Sequence, residues 1–165
     1  MTKITICGGE VEIRHAIVDE IDAIKRLFDR HKRELGFVVN AALENSISRN
    51  ELLVAITEFG EVVGAVHYRH RKDGQTTLYS IVVDGAYRLR AVGRALLHEL
   101  KHEASRKGQQ SIHLKCPVEL EANKFYEAEH FSLIAMDSGK HRPLNIWCLP
   151  LNQSVAGSNP AEVTF

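Results

Sequence analysis

The sequence predicts a mixed β-sheet with helices on both faces, an architecture of the α/β or α+β class. Three observations support this prediction. Short segments alternate apolar and polar side chains, as the strands of a half-buried sheet do. Longer segments carry apolar residues three and four positions apart, as amphipathic helices do. The two patterns follow each other in the order β-α-α-β-β-β-α-β-α-β-β.

The first predicted elements are one strand and two helices. Residues 10–18 alternate well enough for a strand. Asp19 is a suitable cap for a helix whose apolar stripe runs to Leu35 and which Gly36 ends. Asn40 is a suitable cap for a second, shorter helix. Both helices are expected to bury one face against the sheet.

Three successive strands are predicted next, at residues 52–57, 62–70 and 75–83. The turn signals at residues 59–61 and 72–74 separate them, and each of these turns contains a glycine. Because both connections are short, the three strands are expected to form an antiparallel meander.

The remainder of the chain adds two helices and three strands. The expected elements are a loop at 84–90, a helix at 91–105, a strand at 111–116, a helix at 120–129, and strands at 132–136 and 144–149. Residues 1–151 therefore form one predicted domain, followed by a polar tail without periodicity at residues 152–165.

The composition is that of a globular protein of a reducing compartment. Of 165 residues, 44% are hydrophobic, and 21 basic residues balance 21 acidic ones, which argues against binding to nucleic-acid phosphates. The three cysteines show neither a disulfide framework nor zinc-ligand spacing, so no metal is expected. No apolar run reaches the length of a signal peptide or membrane span, so we expect a cytoplasmic protein without a membrane partner.

A short motif at residues 90–95 suggests an anion site. Its sequence, RAVGRA, fits the pattern Q/R-x-x-G-x-G/A and opens a predicted helix directly after a strand and loop. The first turn of a helix has unpaired N–H groups and a partial positive charge. Small residues let that backbone approach a ligand closely, so the segment suits a pyrophosphate. Arg88, Arg90 and Arg94 add positive charge.

In this position the motif resembles the acyl-CoA signature of the GNAT superfamily of N-acetyltransferases. The segment Phe125-Tyr126-Glu127, followed by His130-Phe131, is similar to a second motif of that superfamily. The predicted order of elements also resembles the GNAT topology. The resemblance implies a cosubstrate, acetyl-CoA or another acyl-CoA, and direct attack of an amine on the thioester without an acyl-enzyme.

The resemblance also implies the residues that hold the cosubstrate. The backbone near the end of the third meander strand would pair with the pantetheine arm, and an N–H near Val82 or Val83 would stabilise the oxyanion. The helix start would take the pyrophosphate, and a residue of the last helix would bond the arm. These residues are Ile81, Val82, Val83, Arg88, Leu89, Arg90, Ala91, Val92, Gly93, Arg94, Ala95 and Asn123.

Two residues are the candidates for proton transfer. Tyr126 stands where the family's general acid stands, so the resemblance implies that it protonates the leaving thiolate; the alternative is a tyrosine that packs in the core. His67 lies inside the second strand of the meander and is the candidate general base. The alternatives to His67 are a structural strand histidine and a water chain that relays protons to solvent.

The sequence departs from the family pattern at three positions. Ala91 and His130 occupy positions that usually hold glycine, and the alanine is expected to loosen the phosphate turn. Ser80 replaces the acidic residue often found late in the central strand, which puts the identity of the base in doubt. Cys116, at the end of a strand, is either an acyl-carrying nucleophile or a small buried hydrophobe.

Two classes of function are therefore open. The leading prediction is an N-acetyltransferase whose acceptor is an amine of a small molecule or a peptide. The alternative, motivated by Ser80, is a non-catalytic acyl-CoA-binding sensor or regulatory module. A homodimer is a general expectation, because cyclic dimers are the commonest oligomers.

Overall fold

A computed structural model of the protein describes residues 2–6, 8–88 and 91–151. The strands in this part of the chain are β1 (Thr2–Ile6), β2 (Gly9–His15), β3 (Leu52–Thr57), β4 (Val62–His70), β5 (Gln75–Val83), β6 (Ser111–Pro117), β7 (Ser132–Asp137) and β8 (Leu144–Pro150). The α-helices are α1 (Ile21–Arg30), α2 (Lys32–Leu35), α3 (Asn40–Ser48), α4 (Val92–Arg106) and α5 (Ala122–Ala128). The predicted tail, residues 152–165, lies outside the described residues.

The chain divides into two compact units, which we call the amino-terminal and carboxy-terminal units. The described residues of the amino-terminal unit fall within 2–69 and 78–100. Those of the carboxy-terminal unit fall within 70–77 and 101–151. Strand β5 and helix α4 each contribute residues to both units.

In the amino-terminal unit the strands follow the order β1-β2-β3-β4-β5. The β1–β2, β2–β3 and β3–β4 pairs are antiparallel, and the last of these has an irregular register between Ala55 and Ile56. The three strands predicted at 52–57, 62–70 and 75–83 are confirmed with the same bounds. β3 is buried along its whole length, because its side chains have neighbours on both faces of the sheet.

Helices α1 and α3 cover one face of these strands. α1 buries Ile24, Leu27 and Phe28, which lie three and four positions apart, and α3 buries Leu43. They form one apolar cluster with residues of β3, β4 and β5. The amphipathic stripe read from the sequence is therefore the face that packs in the core.

In the carboxy-terminal unit the strand order is β5-β6-β8-β7. β5 and β6 are parallel, whereas β6 pairs with β8 and β8 with β7 in antiparallel ladders. The sheet pairing is therefore mixed, which confirms the predicted fold class. Helix α5 connects β6 to β7 in sequence.

Strand β1 was missing from the predicted order. Ile4 and Ile6 alternate with Lys3 and Thr5, and this segment pairs with β2 in an antiparallel ladder. The alternation was visible, but five residues at the start of the chain are too short for a secure periodicity. From β2 onward the strands and helices follow the predicted order, except that the first predicted helix is divided into two.

The first predicted helix is broken at His31 into α1 and α2. The backbone of His31 (φ −118°, ψ 20°) leaves the helical region, and its N–H bonds to the carbonyl of Phe28. Between Phe28 and Leu35 the sequence has no apolar residue, so a continuous helix would bury nothing there. Asn40 is the first residue of α3 rather than its cap, which is Val39.

None of the helices among the described residues is long and apolar enough to cross a membrane.

Helix α4 packs closely against β4 because Gly64 has no side chain. A Cβ atom at this position would lie 2.9 Å from Cδ1 of Leu96 and 3.2 Å from the carbonyl oxygen of Val82. Leu96 is fully buried and the carbonyl belongs to the backbone of β5, so neither atom has free space to move into. This contact fixes the distance of α4 from the sheet.

We expect Gly64→Ala to lower the free energy of unfolding by about 1–3 kcal/mol, because the added methyl group overpacks this contact. Urea denaturation measures the change. Gly85→Ala is the control, since a Cβ at Gly85 meets no atom within 4 Å. The control is expected to stay within about 0.5 kcal/mol of the parent protein. Equal stability of the two variants would contradict the close packing at Gly64.

Candidate functional site

The connection from β5 to α4 holds most of the predicted cosubstrate-binding residues. A 3-10 turn, Gly85–Tyr87, follows β5, and the carboxylate of Asp84 caps it by accepting the Ala86 N–H at 3.0 Å. The second oxygen of Asp84 accepts a hydrogen bond of 3.0 Å from Arg30 of α1. Asp84 therefore bonds the start of the connection to the following 3-10 turn and to α1 of the same unit.

The first turn of α4 has the properties that an anion site needs. α4 begins at Val92, carries no acidic residue in its first turn and includes the small residues Gly93 and Ala95. The Ala95 N–H bonds to the carbonyl of Ala91 at 3.0 Å. The N–H groups before it have no partner within the helix and carry the positive end of the helix dipole. Leu89 and Arg90, also predicted here, lie outside the described residues.

Ala91, directly before α4, adopts a left-handed backbone conformation with φ of 67°. Glycine reaches this conformation without strain, whereas alanine incurs roughly 1–2 kcal/mol. The chain thus makes the turn for which a glycine is usual, with an alanine in its place.

The side chain of Arg88 is held on the side of α1 and α2. Its Nε donates to the carbonyl of Val83 at 3.2 Å, and its guanidinium lies 3.1 Å from Nδ1 of His31. The carboxylate of Glu34 is 3.8 Å away. About half of the Arg88 side chain is exposed, so these pairings are screened by solvent. Arg94 lies on the exposed side of the first turn of α4.

The last residues of β5, Ile81–Val83, lie beyond its ladder with β6. The parallel ladder joins Gln75–Thr77 of β5 to Ser111–His113 of β6 and extends no further within the described ranges. Backbone groups that no neighbouring strand pairs are the groups to which an additional extended chain binds.

His67, the predicted base, lies in a buried cluster of the amino-terminal unit. The residue is 8% exposed, and its Nε2 is 2.7 Å from Oγ of Ser46 on α3. Its ring packs against Tyr79 of β5, with 5.1 Å between ring centroids, and against Phe28 of α1 at 6.5 Å. Burial lowers the pKa of His67 below its usual value, so the ring is neutral near pH 7.

Sequence reasoning missed two members of this cluster. Ser46 is 9% exposed and lies three residues after the buried Leu43, so a polar residue on the apolar stripe of α3 was the available signal. Tyr79 is 52% exposed and borders the cluster on the solvent side. Nothing in its strand pattern distinguished Tyr79 from an ordinary surface residue.

Tyr126, the predicted acid, lies on α5 in the carboxy-terminal unit and is 6% exposed. The helix ends in a Schellman motif, in which the N–H of Phe131 bonds to the Tyr126 carbonyl at 3.0 Å and that of His130 to the Glu127 carbonyl at 3.1 Å. His130 has φ of 72°, the left-handed conformation that this motif requires. The rings of Tyr126 and Phe131 pack edge to face at 5.6 Å.

The environment of Tyr126 keeps its phenol protonated. Burial raises the pKa of Tyr126, and negative charge on the nearby Cys116 sulfur would raise it further. Among the hydrogen bonds of the described residues, none involves the Tyr126 hydroxyl. The hydroxyl is therefore a proton donor without a partner in this part of the chain.

Cys116 has the properties of a buried structural thiol. It is 4% exposed, and its sulfur lies 3.6 Å from the carbonyl of Pro117. Burial, with a contribution from Glu119, raises the pKa of Cys116 to about 11. Because the thiolate is the nucleophile, this shift favours the small buried hydrophobe over the acyl carrier.

The side chain of Asn123 joins α5 to β6 and β8. Its Nδ2 donates to the carbonyls of Pro117 and Leu120, each at 2.8 Å. Its Oδ1 accepts from Asn145 at 3.0 Å and from Trp147 at 2.9 Å. These bonds use both donors and both lone pairs of the Asn123 amide, so the predicted contact of this side chain with the pantetheine arm would have to replace one of them.

A comparison with protein families identifies the domain. The profile of the acetyltransferase (GNAT) domain matches residues 25–139, which is more than half of the chain. A search of curated protein sequences found no match.

Several solved structures share the fold. Ard1 from Thermoplasma volcanium has a TM-score of 0.77 at 18% identity and covers 86% of this chain and 97% of its own. The ribosomal-protein-S18-alanine N-acetyltransferase from Escherichia coli has a TM-score of 0.72 at 18% identity, with 86% and 94% covered. N-acetylglutamate synthase from Neisseria gonorrhoeae, complexed with coenzyme A and N-acetyl-glutamate, has a TM-score of 0.75 at 17% identity, with 86% and 35% covered.

At these identities the likeness establishes a common fold, and the family match covers all elements from β3 to β7. Both agree with the resemblance carried by the motifs at residues 90–95 and 125–131. The chain belongs to the GNAT family of acetyltransferases, the acyl-CoA-dependent N-acyltransferases.

Proposed function

We propose that this protein transfers an acetyl group, or another acyl group, from acyl-CoA to an amine of a small molecule or peptide by direct attack. The observation that supports it most is the start of α4 after β5, where the first turn contains small residues and no acidic side chain. In a GNAT domain this arrangement suits the pyrophosphate of CoA.

The backbone of β5 would hold the rest of the cosubstrate. Ile81 and Val83 would hydrogen-bond the pantetheine arm as an additional strand does, which places the thioester along the strand. A backbone N–H of Val82 or Val83 would stabilise the oxyanion that forms when the amine attacks the carbonyl carbon. These contacts would use residues of β5 beyond its ladder with β6.

His67 is the proposed general base. An amine must lose a proton before or during attack, and a histidine held neutral by burial is in the protonation state that can accept it. At the position of the family's usual acid, Ser80 offers a buried hydroxyl and no carboxylate. His67 is therefore the better-supported candidate in the amino-terminal unit.

Tyr126 is the proposed general acid. The thiolate of CoA leaves as the tetrahedral intermediate collapses, and a protonated phenol can give it a proton. The raised pKa of Tyr126 keeps its phenol protonated throughout the neutral pH range. The Schellman motif after it and its contact with Phe131 hold the ring in one orientation.

An amine acceptor agrees with the names of the structural relatives. One is named for the alanine of a ribosomal protein, and another is bound to N-acetyl-glutamate. A peptide terminus and a free amino acid are therefore the first acceptor classes to test. The alternative function is a binding module that holds acyl-CoA without turnover, and the buried hydroxyl of Ser80 in place of an acid favours it.

An acceptor screen separates the two functions. Release of free CoA thiol is measured with acetyl-CoA and a panel of free amino acids, diamines and peptides with free N-termini. We expect at least one class of amine to raise the rate of thiol release above the rate of acetyl-CoA hydrolysis without an amine. The mass of that amine is expected to increase by one acetyl group. Saturable binding of acetyl-CoA without release in the presence of any amine would favour the binding module.

We expect Tyr126→Phe to lower kcat by roughly 10²–10⁴-fold, because the leaving thiolate loses its proton donor. Acetyl-CoA affinity and stability are expected to stay close to those of the parent. Tyr68→Phe is the control, since it removes a buried phenol hydroxyl that donates to the carbonyl of Asn50 at 3.0 Å. That variant should lose about 1 kcal/mol of stability and keep its kcat. Full kcat in Tyr126→Phe would contradict the assignment.

A further inference from the structure

A buried serine and a buried histidine form a hydrogen-bonded pair in the amino-terminal unit. Oγ of Ser46 and Nε2 of His67 are 2.7 Å apart, and the two residues are 9% and 8% exposed. Ser46 comes from α3 and His67 from β4, so the bond connects a helix to the sheet. Buried polar groups are nearly always paired, and a hydrogen bond is stronger where water is excluded.

The two nitrogens of His67 have different surroundings. Nε2 bonds to Ser46, whereas no described residue hydrogen-bonds to Nδ1. A neutral imidazole has one N–H and one lone pair, and the partner of one nitrogen determines which form is present. A hydroxyl oxygen that accepts the Nε2 proton leaves the lone pair on Nδ1.

We propose that Ser46 is a positioning residue for the base His67: its Oγ accepts the Nε2 proton and keeps Nδ1 free to take a proton from the acceptor amine. This inference depends on the proposed function, in which His67 is the base. The proton passes from the ammonium or the attacking amine nitrogen to Nδ1, and the ring becomes an imidazolium. Nδ1 later releases this proton to solvent, and the other proton stays on Nε2 throughout, hydrogen-bonded to Oγ of Ser46.

The imidazolium would have little other stabilisation from its contacts. The side chains of Phe28 from α1 and Tyr79 from β5 pack against the ring, and Leu52 of β3 is its partner in register. None of these side chains is a carboxylate or a basic group. Burial is the sole cause of the lowered pKa of His67. Ser46 is therefore the polar partner, among these contacts, that stabilises the charged ring.

The sign of the expected pH effect follows from this arrangement. His67 must be neutral to act as a base, so kcat/KM rises with pH through the pKa of His67. Removing Ser46 destabilises the imidazolium, which lowers the pKa of His67 further. In Ser46→Ala the rising limb is expected to move to lower pH by about one pH unit, because a hydrogen bond to a charged group is lost. The plateau value of kcat/KM above this limb is expected to fall several-fold, because the His67 ring loses its preferred tautomer and orientation.

The experiment is the pH profile of kcat/KM for four proteins: the parent, Ser46→Ala, Ser46→Thr and Ser48→Ala. Ser46→Thr keeps a hydroxyl, so the rising limb of its kcat/KM profile is expected at the same pH as in the parent. Ser48→Ala is the matched control, since Ser48 lies on the same helix and its Oγ donates to the carbonyl of Asn45 at 2.8 Å. A lower plateau in Ser46→Ala with an unmoved limb would mean a merely structural role and would overturn the proposal.

A second measurement does not require turnover. The ¹⁵N shifts of the His67 ring, in the parent protein without substrate, distinguish a protonated nitrogen from one with a lone pair. We expect the proton on Nε2; a proton on Nδ1 overturns the role of Ser46 whatever the kinetics show. If the proton is on Nε2 but His67→Asn keeps full activity over the whole pH range, the base assignment of the proposed function fails instead.

Discussion

The close contact between α4 and β4 at Gly64 is the constraint on which the proposed cosubstrate site depends. No side chain separates the helix from the strand there, and Leu96 of α4 fills the space. Because a helix is rigid, its distance from the sheet at this point also sets the position of its first turn, one turn earlier in sequence. The N–H groups proposed to hold the pyrophosphate are thus positioned by packing, and the short capped connection from β5 adds a second restraint.

Both departures from the glycines of the family pattern occur where the backbone is left-handed. Ala91 has φ of 67° and His130 has φ of 72°. The looser turn expected at Ala91 stays a prediction, and the alanine adopts this conformation at some cost in strain. At His130 the conformation belongs to the Schellman motif that holds Tyr126. The left-handed conformation therefore occurs at both positions without a glycine.

The sequence was sufficient to predict the strands of the meander, since their alternation is clean and glycine turns separate them. It was not sufficient for the short β1 or for the break at His31. The helix breaks there because the residues between Phe28 and Leu35 are polar and a continuous helix would bury none of them. For the proposed site, the sequence suggested His67 and Tyr126 as candidates, but it did not suggest Ser46. Its contact with His67 is made across 21 residues by the packing of α3 on β4, which no local pattern records.

The measurement that tests this account most directly is the melting temperature with and without acetyl-CoA, for the parent and Gly93→Glu. A ligand at about 100 times its Kd adds roughly 2.7 kcal/mol of stability. For a domain of this size the expected rise is roughly 5–10 °C. Gly93→Glu places a carboxylate in the first turn of α4 and should abolish the rise; Ser105→Glu, at the other end of the same helix, should keep it. No rise in the parent at any acetyl-CoA concentration would contradict the proposal that the start of α4 binds acyl-CoA.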